Sequence, residues 1–109
     1  MRPANPWRGE VEISLSGRSH VLRPSFEALA AIETEIAPIL KLAEAASDGA
    51  ARIADMAGVI HRCLMPDTDG TSLERAQVGE GLAKMGYAEA ISVYRRLLEA
   101  ILKGSIDAR

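Results

Sequence analysis

The side chains here that could do chemistry are few, and none stands at a spacing that chemistry requires. His61 and Cys63 are two apart in a helical stretch, about 200° round the helix from each other. They cannot chelate one metal from that geometry, and no second pair exists. A buried or edge cysteine beside a surface histidine fits better. His20 has no local serine and carboxylate set suggesting a triad. Asp67-Thr68-Asp69-Gly70 is similar to part of a calcium loop. However, Met65 and Ala76 stand where an EF-hand needs an Asp and a Glu, so the stretch reads as a turn and cap. Gly79-Glu80-Gly81 lacks the third glycine of a dinucleotide loop and has no strand before it. Arg95 and Arg96 could read DNA from a helix-turn-helix made of the last two helices. They are one basic pair with Glu89 and Glu99 nearby, and a solvated face is the better reading. No catalytic residue, metal ligand or cofactor site is expected, and an enzyme is the least expected class.

Composition narrows the remainder. The 109 residues carry a formal net charge of −2, which leaves no electrostatic footprint for nucleic acid or an anionic membrane. Apolar residues make up 48% but aromatic ones only 4%. The core is therefore expected to be Leu, Ile, Val, Met and Ala, which suits close-packed helices. Cys63 is the only cysteine, so no internal disulfide can form, as befits a reducing compartment. No apolar run approaches the ~18 residues of a membrane span, and residues 1–6 do not read as a signal peptide. The expectation is a soluble, cytoplasmic, single-domain protein over residues 1–109. It has a Pro-rich lead-in at 1–7, a β-hairpin at 8–24 and a helical part at 25–104.

The elements follow from periodicity. Val11, Ile13 and Leu15 alternate with Glu10, Glu12, Ser14 and Ser16, which marks a half-buried strand. Gly17-Arg18 can form a type II′ loop. In that register Leu15 faces His20, Ile13 faces Leu22 and Glu12 faces Arg23. A lone hairpin is marginal in water, so its Ile13/Leu15/Leu22 face should pack on helices. Pro24 ends the second strand, and Ser25 suits a helix N-cap with Glu27 in the first turn. Leu29, Ile32 and Ile36 follow at helical spacing. Pro38 either kinks this helix or starts a second one, which continues to about Ala46. A third helix is predicted from about Ala50 to Met65, with Ile53, Met56, Ala57, Ile60 and Leu64 as its stripe. Thr71 and Glu74 match a capping box for a fourth helix ending near Met85. The fifth runs from Tyr87 to Lys103. The fold class is α+β, mainly α: a hairpin followed by a bundle of four to five short helices.

The fifth helix has an unusually wide apolar face. Tyr87, Ile91, Tyr94, Leu98 and Ile101 form one stripe, and Ala90, Val93 and Leu97 widen it to about half the circumference at 100° per residue. One neighbouring helix cannot cover that. Either the helix is central, or part of it meets a partner. Trp7, at the hairpin's mouth, either caps the core edge or anchors a partner. These six residues, Trp7, Tyr87, Ile91, Tyr94, Leu98 and Ile101, are the candidate partner interface, and a homo-oligomer is compatible with it.

The stretch Arg8-Gly9-Glu10-Val11-Glu12, then Gly17, then Val21 to Ala30 and Ile32-Glu33 resembles the gene transfer agent family. These are small proteins of alphaproteobacterial gene transfer agents and related prophages. They are classed with phage tail-assembly chaperones and are also described as tail tube proteins. Beyond residue 33 the resemblance is to the general helical plan, and Pro38 stands where that family leads one to expect a Gly-containing helix end. The family brings no catalytic residues. The resemblance implies a non-enzymatic tail-assembly factor, either a chaperone that binds the tape-measure protein or a minor structural component of the tail. A tube wall needs a many-stranded β-sandwich, which one hairpin cannot supply. A helical domain with spare apolar surface suits a chaperone holding a helical partner.

Overall fold

The computed structural model describes residues 4–5, 9–66, 70 and 72–104. Two antiparallel strands, β1 (Val11–Leu15) and β2 (Arg18–Leu22), lead into five helices. These are α1 (Phe26–Glu35), α2 (Ile39–Ser47), α3 (Ile53–Cys63), α4 (Arg75–Met85) and α5 (Tyr87–Lys103). The α+β, mainly α expectation holds.

The hairpin turns one residue earlier than the sequence reading placed it. Ser16 and Gly17 are its central residues, at φ 51° and 82°. Positive φ at both is the type I′ pattern, whose twist matches the strands, and Gly17 accepts it without cost. Ile13 therefore pairs with His20, Leu15 with Arg18 and Val11 with Leu22. The expected Glu12–Arg23 pairing is absent, because Glu12 faces Val21. The register moved by two residues rather than one, so the faces survive. Ile13, Leu15 and Leu22 are all buried, and His20 is buried beside them.

Ser25 caps α1 as expected, its Oγ accepting the Ala28 N–H at 3.2 Å. Pro38 separates two helices rather than kinking one. The Glu33 carboxylate accepts the Ile39 N–H at 3.0 Å, satisfying a donor at the start of α2. The third helix is shorter than expected at both ends. Its stripe holds at Met56, Ala57 and Ile60, whereas Ile53 is exposed. After Cys63 the chain turns extended, and Leu64 bridges to Leu22. The Arg23 N–H donates to the Cys63 carbonyl at 2.7 Å, and the Met65 N–H to the Val21 carbonyl at 2.9 Å. The hairpin is thus not all the β-structure: the outer edge of β2 is paired by a segment that periodicity assigned to helix.

The capping box also lies elsewhere. Thr71 falls outside the described residues; Glu74 is the N-cap of α4, and its N–H donates to Gln77 Oε1 at 2.8 Å. Gly79 and Gly81 both lie inside α4. At Gly81 a Cβ would meet Leu15 Cδ2 at 2.9 Å, so the glycine is what lets α4 approach β1.

All seven elements contribute to one apolar core. Helix α5 packs on α2, α3, α4 and β1. That explains its wide apolar face.

Candidate protein-binding surface

The chemistry-bearing side chains stay dispersed. Cys63 is buried, and burial pushes its thiol up from 9.0 to about 12. His61, on the same helix, is half-buried, and its Nδ1 has no hydrogen-bond partner. No group of three or more His, Cys, Asp or Glu among the described residues could hold a metal. Asp67, Thr68 and Asp69 lie outside the described residues.

Arg95 is exposed, as a solvated face requires, yet its guanidinium is engaged. Its Nε and Nη2 donate to the Ala46 carbonyl at 3.1 and 2.8 Å. It thereby satisfies a free carbonyl in the last turn of α2 and pins α5 to it. Across the molecule, the Glu35 carboxylate accepts from Arg62 Nε at 3.1 Å and from Arg75 Nη2 at 3.4 Å. One carboxylate thus links α1, α3 and α4, though exposed pairs of this kind are individually weak.

Three groups make pH-dependent contributions to stability. The Arg62 hydrogen bond holds Glu35 below its ordinary 4.5. Its contribution is therefore present above pH 4.5 and is lost as pH falls through the lowered value. Burial, with Asp55 nearby, raises Tyr94 from 10.0 to about 12. Cys63 and Tyr94 keep their protons in the folded state where the unfolded chain has lost them. Their contribution is complete below pH 9 and drains away as pH rises toward about 12. Thermal midpoints measured from pH 6 to 11 should stay level to about pH 9 and then fall, and the fall should be shallower in a Cys63→Ala/Tyr94→Phe double variant.

The candidate interface residues divide. Ile91, Tyr94 and Leu98 are buried in the chain's own core. Ile101 is half-buried. Tyr87 is 45% exposed, and its hydroxyl donates to the Ala51 carbonyl. Trp7 lies outside the described residues. Besides Tyr87, accessible apolar surface is supplied by residues the stripe argument did not single out, among them Phe26, Leu40 and Leu102. Leu102, at 54% exposure, stands beside a groove of about 650 Å³ between α2 and α5, lined also by Ala43, Ala46, Ser47 and Leu98. Leu40, 69% exposed, lies one turn before Ala43 on the same face of α2. The sequence signal for this was Leu102 itself, an apolar residue just off the α5 stripe. No helix among the described residues is long and apolar enough to cross a membrane.

A model of the family described as phage tail tube protein, GTA-gp10, matches residues 8–104. Comparisons with curated proteins and with solved structures return no match.

Proposed function

We propose, from the premise that this chain belongs to the phage tail tube protein family GTA-gp10, that it is a non-enzymatic tail-assembly chaperone. It binds the tape-measure protein of a phage-like particle in the cytoplasm, as a single domain. The observation that carries this reading is the α2/α5 groove with the exposed Leu102 at its rim. A groove lined by Ala43, Ala46, Ser47, Leu98 and Leu102, and also by the charged Arg95, Glu99 and Lys103, suits an amphipathic helix that sets apolar anchors three and four apart beside polar positions. Tape-measure proteins are long and helical, and they need such cover before the tail closes around them.

A structural place in the tail is the second reading, favoured by the family's description. Against it, the described residues contain two strands and one isolated bridge, far from a tube wall. Co-expression with the tape-measure protein separates the two. Under the chaperone reading the pair co-purifies, and Leu102→Glu cuts recovery by about tenfold, roughly 1.4 kcal/mol, with little change in thermal midpoint. The same chain is then scarce in purified particles by mass spectrometry. Stoichiometric copies in mature particles, or no co-purification with both proteins soluble, would overturn the chaperone reading.

A further inference from the structure

The two edges of the hairpin are treated differently. On the β2 side, the Val21 carbonyl and Arg23 N–H are taken by Met65 and Cys63. Those bonds fix which residues turn their main-chain groups outward. In an antiparallel ladder the outward residues alternate, and Glu12 pairs with Val21 while Ser14 pairs with Ser19. The N–H and C=O groups of Glu12 and Ser14 therefore point away from β2. The next outward position, Glu10, is already occupied, since its N–H donates to the Asn5 carbonyl at 3.1 Å. No element among the described residues pairs with β1 beyond that point. β1 has none of the devices that blunt an edge by backbone, neither proline nor bulge.

A groove of about 540 Å³ runs beside this edge. Glu12 and Ser14 form one wall, and α4 and α5 reach past the strand to form the other with Gly81, Met85 and Val93. It continues toward the start of β1, where Glu12 and Arg96 line a second depression of about 440 Å³.

We infer that this edge takes an extended segment of a partner protein as an added strand. Only an extended chain offers main-chain groups at the ~6.8 Å repeat of alternate strand residues. The shape argues against a second copy. Pairing β1 with its own copy in one sheet would bring a second α4 and α5 onto the same side, into the space the first pair occupies. The side-chain chemistry of the segment follows from the walls. One face meets Met85 and Val93, and the other meets water, so its residues alternate apolar and polar. Glu12 and Glu89 balance Lys84 and Arg96 around the groove, so the segment carries little net charge. The inference rests on family membership only for the choice of probe, and it is independent of the chaperone reading.

The probe is a set of overlapping 15-residue peptides, a length of roughly three short strands, tiling the tail tube and tape-measure proteins encoded with this chain. At least one alternating, near-neutral peptide should bind, with amide exchange slowed at Glu12 and Ser14. Raising salt from about 50 to 200 mM should change its affinity less than about twofold, because no net charge is neutralised. Ser14→Pro removes an outward N–H and no ladder bond. It should keep the fold, by circular dichroism and thermal midpoint, and weaken the peptide at least tenfold. Binding that leaves Glu12 and Ser14 exchange unchanged would overturn the inference, and so would the absence of any binding peptide. Protection that grows with protein concentration alone would also overturn it, in favour of self-association. A peptide from the tube protein alone would support the edge site while giving no support to tape-measure binding.

Discussion

Leu22→Ala is expected to lower the free energy of unfolding by about 3–5 kcal/mol, the upper range for a leucine truncated in a packed core. Leu22 is fully buried. It sits at the meeting point of three segments, pairing with Val11 in the hairpin and with Leu64 beyond α3. Removing its side chain leaves a cavity that strands on both sides hold open, because backbone bonds at Val21 and Arg23 fix the flanking chain. The site therefore cannot collapse around the smaller residue. Against a total of about 5–15 kcal/mol for a domain of this size, the loss is large. Urea denaturation followed by circular dichroism would read it as a lower midpoint with an unchanged slope. Ser19→Ala, exposed on the same strand, should stay within about 0.5 kcal/mol of the parent. Equal effects from the two would mean that the hairpin is not packed as described.

What could be read from the sequence, and what could not, divides along local against long-range causes. The strand faces were legible because Val11, Ile13 and Leu15 alternate with polar residues. The exact turn was not, because it depends on Ser16 accepting a positive φ, which residue type alone does not announce. The Ser25 cap and the break at Pro38 were legible for local stereochemical reasons. Leu64 misled because it falls on the helical stripe of α3, yet the open edge of β2 draws it into extended pairing. Arg95 was legible as a surface charge, but its partner was not, because the Ala46 carbonyl lies 49 residues away. The α5 stripe was seen correctly as too wide for one neighbour. Packing rather than pattern decides whether a partner or the core covers it, and Ile91, Tyr94 and Leu98 went to the core. Leu102 lay just off the α5 stripe, so its exposure was decided by packing rather than by pattern.

Tyr94→Ala should therefore damage folding rather than binding. Tyr94 is among the largest fully buried side chains in the molecule, on the helix that touches α2, α3, α4 and β1. Truncating a buried aromatic costs about 3–5 kcal/mol, and the chain would be largely unfolded at modest urea. Tyr94→Phe keeps the ring and its packing. It should stay within about 1 kcal/mol at neutral pH and lose only the alkaline sensitivity that the raised hydroxyl pKa creates. Leu102→Ala removes a side chain of the same helix that is 54% exposed, and should cost well under about 1 kcal/mol. The three variants separate the two jobs an apolar helix face can do. Thermal midpoints paired with tape-measure co-purification would show Tyr94→Ala losing both together. Leu102→Ala should keep its midpoint and lose recovery. If Tyr94→Ala instead held its midpoint and lost only recovery, the α5 stripe would be a partner surface after all, and the central packing of α5 would be wrong.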